Sequence, residues 1–282
     1  MAKQTIWITG AAGRLGTELS DRLEKNSDYK ILETDQDVDI TDMHAVDHAM
    51  DMYRPTIVIN CASISNAEYC EKHMVEAFKV NALGARNLAS ASRRINAKLI
   101  QLSTDDIFDG KTSGRLTEYD TPDPNTIYGK SKLAGENYVR ELNPKHLIIR
   151  SSWVYSAAEG NYFSYVVEHG KRGESFEAPI DKISSPTSAR TLAEFVERLI
   201  EESEYGTYHA SCEGMCSRYE FAKTILSLMD YDVNLVKRKF TEGQSGQSST
   251  LLENLMMKMT EIFTMPLWLD DLKDYIEDYK KQ

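Results

Sequence analysis

Residues 9–16 read Thr9-Gly10-Ala11-Ala12-Gly13-Arg14-Leu15-Gly16, between an apolar stretch (5–8) and an amphipathic one that runs to residue 24. A strand that breaks into a glycine turn and continues as a helix is a phosphate-binding arrangement. Gly10 allows the tight turn, Gly13 lets the backbone approach a pyrophosphate, and Gly16 lets helix and strand pack closely. The free N–H groups and the dipole at the helix start then face the anion. A second predicted strand, 30–34, ends in Asp35, 19 residues after Gly16. That is close to the roughly 20 at which such folds place the acid that takes a ribose hydroxyl. Glycine spacing alone also fits a turn without a ligand; strand, helix and acid in order favour a dinucleotide such as NADH or NADPH.

The rest of the first half repeats this rhythm. Short apolar or β-branched runs at 5–8, 30–34, 56–60, 98–102 and 146–150 alternate with helical patterns at 15–24, 45–53, 75–94 and 128–142. The βαβα order predicts an α/β fold, a doubly wound parallel sheet of the Rossmann kind with helices on both faces. Beyond Arg150 the rhythm changes. A helix at 189–202 and a strand at 207–210 are expected to return to the sheet, while 161–186 and 212–282 read as irregular. The predicted division is a dinucleotide-binding domain, 1–155 with 189–210, and a smaller C-terminal α/β lobe for substrate, 156–188 and 211–282. The acidic, amphipathic stretch 267–279 reads as a packed surface helix.

Charge and composition exclude several classes. A net charge of −11 over 282 residues argues against nucleic acid, which needs a basic surface. An anionic ligand must therefore be met by local donors. No apolar run approaches the ~18 residues of a membrane span, and the first residues carry no signal-like apolar segment. Cys61, Cys70, Cys212 and Cys216 are too scattered for a disulfide scaffold, and Cys212 and Cys216 lack a second ligand pair, so no metal site is expected. Reduced thiols in a cytoplasmic protein are the simplest account. Oligomeric state is not legible; a homodimer is compatible with everything above.

A second chemical signal is Tyr128-Gly129-Lys130-Ser131-Lys132. A Tyr and a Lys four apart at a helix start share one face, and the ammonium is expected to lower the phenol from its usual ~10 toward neutrality. Such a phenol can protonate the oxygen formed when a nicotinamide delivers hydride to a ketone. With 15 tyrosines in the chain the spacing also arises by chance, and Tyr219 with Lys223 repeats it. Context separates the two. Tyr128 follows the fourth predicted strand, whereas Tyr219 follows Ser217, which with Glu220 forms a capping-box pattern for an ordinary helix. Thr104, at the end of that fourth strand, suits a further hydrogen bond to the reacting carbonyl.

Here the sequence resembles the extended short-chain dehydrogenase/reductases, and among them the dTDP-4-dehydrorhamnose reductase family. The resemblance is carried by the glycine motif, Asp39-Ile40-Thr41-Asp42, Asn60-Cys61-Ala62-Ser63, the run 103–110, Tyr128-Gly129-Lys130-Ser131-Lys132, Ser152-Trp153-Val154-Tyr155 and Ser185-Pro186-Thr187, in order over about the first 200 residues. It implies Thr104, Tyr128 and Lys132 as the catalytic set, with Lys132 also on the ribose. It puts Ala12, Gly13 and Arg14, with Leu15 beside them, at the pyrophosphate, and Asp39 with Ile40 around the adenine. Cys61, Ala62 and Ser63 fall on the nicotinamide side; Thr104, Asp105, Asp106 and Trp153 fall at the sugar, although Trp153 also reads as a core aromatic.

The resemblance implies transfer of hydride from NADPH or NADH to the 4-keto group of dTDP-4-dehydro-β-L-rhamnose, a nucleotide sugar of polysaccharide biosynthesis. Two departures bear on substrate. Asp106 stands where the family has a Tyr, and an Arg-Pro-x-x-Ser-x-Leu motif is not recognisable, 246–251 being the nearest stretch. Losing that Arg removes a bidentate anion partner, for which Lys182 compensates only in part. Reduction or epimerisation of another nucleotide sugar, and a non-catalytic NAD(P)-binding regulatory subunit, remain the alternatives. Coenzyme choice is also open: Asp35 would repel a 2′-phosphate, whereas Arg14 could attract one.

Overall fold

The computed structural model describes residues 3–111, 114–241 and 249–281. Most of the polar stretch 243–249, including Gly246, Gln247 and Ser248, lies outside them. The chain builds one central sheet from β1 (Gln4–Thr9), β2 (Tyr29–Thr34), β3 (Ile57–Asn60), β4 (Lys98–Thr104), β5 (His146–Ser151) and β6 (Gly206–His209). All pairings are parallel, in the order β6-β5-β4-β3-β1-β2. The sheet is buried on both faces because its strands are apolar on both: Ile6, Trp7, Ile8, Val58, Ile59, Leu99, Ile100, Leu147, Ile148 and Ile149 are all sealed from solvent.

One face packs on α1 (Arg14–Leu23) and α8 (Ala189–Glu201) through Leu19, Leu23, Phe195, Val196 and Leu199. The other packs on α2 (Met43–Tyr53), α5 (Ala85–Arg94) and α6 (Ile127–Leu142) through Val46, Met50, Leu88 and Val139. The chain winds from β1 outward to β2 and then back past β1 to β3, so the winding direction reverses between β1 and β3. The carboxyl ends of strands open into a crevice at such a reversal. A buried amide ladder ties these ends together: Thr9 Oγ1 donates to Asn60 Oδ1 (2.9 Å), and Asn60 Nδ2 donates to Gln101 Oε1 (2.8 Å).

The stretch predicted as one helix, 75–94, is interrupted. Helix α3 (Ala67–Lys72) precedes it, and α4 (Met74–Phe78) runs through a π-helical segment, Lys79–Gly84, into α5. The π segment turns Asn81 inward. Its amide accepts from Ile64 N–H and donates to Ile64 O and to Ser131 Oγ, joining the loop after β3 to α6. π turns recur at functional sites for this reason: they re-aim one side chain without ending the helix.

Within the described residues, the stretches expected to be irregular contain helices, one of which, at 267–279, the sequence already pointed to. These are α7 (Tyr162–Arg172), α9 (Arg218–Leu228), α10 (Leu255–Thr260) and α11 (Trp268–Tyr279). Two are started by capping boxes, Asn161 with Ser164 and Ser217 with Glu220. Mutual packing of Tyr155, Phe163, Phe176, Phe221, Ile225 and Leu272 supplies much of their order.

Helix α11 is packed as expected, but one of its acids is buried. Asp271 accepts from Tyr155 Oη (2.9 Å), Ser188 N–H (2.8 Å), Ser188 Oγ (2.7 Å) and Thr191 Oγ1 (2.5 Å). It thereby holds the C-terminal helix to the N-terminus of α8. Asp271→Ala strands these donors, so a loss of about 3 kcal/mol and a fall in Tm of roughly 5–10 °C are expected. Thermal unfolding of the two proteins checks this; an unchanged Tm would show that the network carries no stability.

Candidate active site

The turn after β1 is dictated by crowding. Gly10 has φ +67°, and a Cβ placed there would lie 2.5 Å from Ala62 N, on the chain leaving β3. Gly13 caps α1 without any side-chain hydrogen bond, and the first turn of α1 holds no acid. The orphan N–H groups at that helix start are therefore open to an anion.

Below the turn lies a cavity of about 330 Å³. Gly13, Arg14, Leu15 and Gly16 border it from one side, Cys61 and Ser63 from the end of β3, and Thr104, Tyr128 and Lys132 from its floor. Asp105, Asp106 and Trp153 complete its far end. Ala12 and Asp35 instead line a separate groove of about 340 Å³ on the β2 side of the turn. Gly10, Ala62, Asp39 and Ile40 line neither cavity. Ile40 is buried against Gly84, and exposed Asp39 accepts from Thr41 N–H, which stabilises the chain's entry to α2.

Tyr128 is placed by the N-terminus of α6, where Thr126 Oγ1 accepts from Gly129 N–H (3.0 Å). A Cβ on Gly129 would sit 2.0 Å from Asp106 O, so only glycine allows the helix to meet this loop. Lys132, one turn on, donates from Nζ to Leu102 O (2.7 Å). Thr104 Oγ1 accepts from Asp106 N–H (3.2 Å) and donates to Asp105 Oδ1 (3.3 Å).

The electrostatics differ from the sequence expectation at Tyr128. Burial, then the Asp106 carboxylate, push the phenol's pKa up, with Thr104 and Arg14 pulling against them. The reason is desolvation: the phenolate would form in an enclosed site beside two acids. Burial also brings Lys132 down to about 8, opposed by Glu136 and Cys61. At the far end burial raises Asp105 to about 6, with hydrogen bonds from Ser152 and Thr104 acting against it. Asp106 rises to about 7 through burial and then Asp105, with Arg218 and Lys182 pulling it back in that order.

Arg218 was not legible as a site residue. It is the first residue of α9, behind the capping serine that made this helix read as ordinary, and its side chain enters the cavity. Its guanidinium carbon lies 3.6 Å from the Trp153 ring centroid and 4.7 Å from that of Tyr162. Trp153 has φ +43°, a left-handed conformation that is costly for a bulky side chain. That strain presents the indole to the cavity rather than to the core. The only sequence signal for Arg218 was a basic residue in a helix's first turn, where the dipole disfavours it. Tyr219, next to it, does not border the cavity; it packs on the aromatic cluster and under Arg238.

Comparison with protein families matches residues 4–281 to the RmlD substrate binding domain. The chain belongs to this family. It is 38% identical over 222 residues to the spore coat polysaccharide biosynthesis protein SpsK of Bacillus subtilis (strain 168), covering 78% of each chain. The dTDP-4-dehydrorhamnose reductase of Clostridium acetobutylicum ATCC 824 superposes with a TM-score of 0.94 at 37% identity, over 98% of this chain and 100% of that one. That of Bacillus anthracis str. Ames, solved in complex with NADP, gives 0.93 at 36% identity over 98% and 99%. The chain is thus an NAD(P)-dependent reductase of the sugar-nucleotide class, with the Rossmann-type fold its sequence predicted. Among the described residues no helix is long and apolar enough to cross a membrane.

Because the Asp106 carboxylate disfavours the Tyr128 phenolate, Asp106→Asn should lower the phenol's pKa. The alkaline limb of the kcat–pH profile, where the phenol loses its proton, is then expected at lower pH than in the wild type. A limb that stays in place or moves up would mean that Asp106 does not act on Tyr128.

Proposed function

We propose that the chain reduces the 4-keto group of dTDP-4-dehydro-β-L-rhamnose to give dTDP-L-rhamnose, in the cytoplasm. The observation that carries this reading is the meeting of Thr104, Tyr128 and Lys132 on one cavity wall beneath an uncapped glycine turn. A reduced nicotinamide, when bound, supplies the hydride. The chain's own residues supply the rest. Tyr128 donates its proton to the carbonyl oxygen as charge develops there, and a buried phenol with a raised pKa arrives at that step protonated. Thr104 donates a hydrogen bond to the same oxygen. Lys132 holds the ribose and balances the phenolate left behind; its burial keeps that charge effective.

At the far end Asp105 and Asp106 accept from sugar hydroxyls, and Trp153 packs on the ring. Arg218 is the cation for the nucleotide's diphosphate. Its guanidinium stacks on two aromatic rings and also feels the Asp105 and Asp106 carboxylates at the same end of the cavity. This assigns residues 1–155 with 189–210 to the cofactor, and 156–188 with 211–282 to the substrate. Asp106, in place of the family's phenol, supports a second reading in which the sugar is a different 4-keto hexose on the same kind of nucleotide.

Steady-state oxidation of the reduced nicotinamide with dTDP-4-dehydrorhamnose tests the assignment, and absence of turnover would overturn it in favour of another sugar. Tyr128→Phe should lower kcat ~100- to 10,000-fold and leave cofactor affinity within a few-fold. Tyr219→Phe should leave the rate nearly unchanged. Equal losses at matched stability would remove Tyr128 from its role.

Arg218→Met should raise KM for the keto-sugar nucleotide by ~10- to 100-fold, as loss of a charge-assisted hydrogen bond does. Its dissociation constant for the dinucleotide should not change. A selective fall in kcat instead would place Arg218 at the reacting centre.

A further inference from the structure

Behind the wall that carries Tyr128 lies a buried charge network that the proposed reduction does not itself use. Lys132 is enclosed, and its Nζ donates to a carbonyl, Leu102 O, rather than to a carboxylate. Two titratable groups act on its charge, Glu136 one turn further along α6 and the Cys61 thiol on the chain leaving β3. Glu136 is fully enclosed and receives donors from three directions. Ser103 Oγ reaches it from β4, the Arg150 guanidinium from β5 through Nε and Nη2, and Arg140 Nη2 (2.5 Å) from its own helix. Arg150 Nη1 turns away from the acid toward His209 Nε2 (3.4 Å), on β6. His209 Nδ1 faces two carbonyls, Leu116 O (3.0 Å) and Glu253 O (3.2 Å). It therefore carries the ring's proton, and Nε2 is left as the acceptor that Arg150 needs. Burial, and then Arg150, keep this imidazole neutral by bringing its pKa down to about 3.

We propose that Glu136 is a positioning residue for the reduction: it presents Lys132 to the coenzyme's ribose as an ammonium, while Arg150 and His209 hold the carboxylate in place. The inference rests on the reading of Lys132 as the ribose-binding cation, and on no choice of sugar. A lysine taken out of water gives up its proton more readily, and burial brings this one down to about 8. Without the acid it would fall further and meet the ribose as a neutral amine. A guanidinium–carboxylate pair enclosed for packing alone gains little over apolar side chains of similar volume. This one sits four residues from a lysine, on the same face of α6, where a negative charge acts on the ammonium. The neutral state of His209 serves the same end, since it anchors Arg150 without adding a further positive charge to the network.

The test is the pH dependence of NADH binding, followed by nicotinamide fluorescence in the absence of any sugar. NADH carries no phosphate monoester, so the coenzyme itself does not titrate near neutrality. The wild type should bind about tenfold more weakly above a limb near pH 8, as the hydrogen bonds from the ammonium to the ribose lose their charge. Lys132→Met should bind weakly throughout and show no limb. Glu136→Gln keeps the shape of the carboxylate and removes its charge. Its limb should lie about one pH unit lower or more, and its affinity should return toward that of the wild type as the pH is lowered. A purely structural defect would not be repaired by acid. Arg140→Met, at a partly exposed position, should move the limb the other way, because Glu136 then answers one cation fewer. That variant decides the matter if Glu136→Gln does not fold. A Glu136→Gln limb at the wild-type pH, or, in its absence, an Arg140→Met limb that does not rise, would overturn the proposal. A Lys132→Met variant that binds like the wild type would instead remove Lys132 from the ribose, and the proposal with it.

Discussion

Residue 10 has no room for a side chain. The backbone there must turn with positive φ while passing against the chain that leaves β3, whose Ala62 nitrogen would be 2.5 Å from any Cβ. Only glycine satisfies both demands, and much of the site follows from that contact. It sets the start of α1 over the reversal between β1 and β3, leaves the helix's first N–H groups uncapped, and opens the crevice in which the strand ends meet. The amide ladder Thr9–Asn60–Gln101 then locks the three strand ends in register.

Helix α6 carries the proposed proton donor and is fixed from below by charge. Arg150 donates from Nε (3.0 Å) and Nη2 (2.8 Å) to the Glu136 carboxylate, which also accepts from Ser103 Oγ. Glu136 is fully enclosed; burial favours its neutral form, but Arg150, and after it Arg140, outweigh this and hold the carboxyl below its usual range. An enclosed pair of this kind contributes little net stability and is costly to break from one side. Its effect here is positional. Glu136 lies one turn beyond Lys132, so anchoring it to β4 and β5 sets the register of α6 against the strand ends and supports the lysine's charge.

The far end of the cavity concentrates strain and unbalanced charge. Trp153 is held at positive φ, Arg218 is stacked on it, and two acids with raised pKa values face the same space. Such costs are tolerated where surrounding contacts over-determine them, and they cluster where ligands are handled. The aromatic packing around Tyr155 and Phe163, with Asp271 beneath it, supplies that support.

The order of strands and helices and the glycine turn were legible because each is written in consecutive residues: a buried parallel strand is a continuous apolar run, and a turn is a glycine at a set offset. Thr104, Tyr128 and Lys132 were legible for the same reason, as they mark the end of a strand and the start of a helix. Of the helices after residue 155, α8, α11 and the capped start of α9 were legible, whereas α7 and α10 were missed, their order coming from packing against the rest of the chain. The tertiary structure alone decided where long side chains point. Arg14 bonds a carbonyl 140 residues away, Asp271 a hydroxyl 116 residues away, and Arg218 an indole on a different loop. Local sequence sets the backbone from which a guanidinium starts, but its direction is chosen by the nearest acceptor or ring, and that partner becomes a neighbour only when the chain has folded.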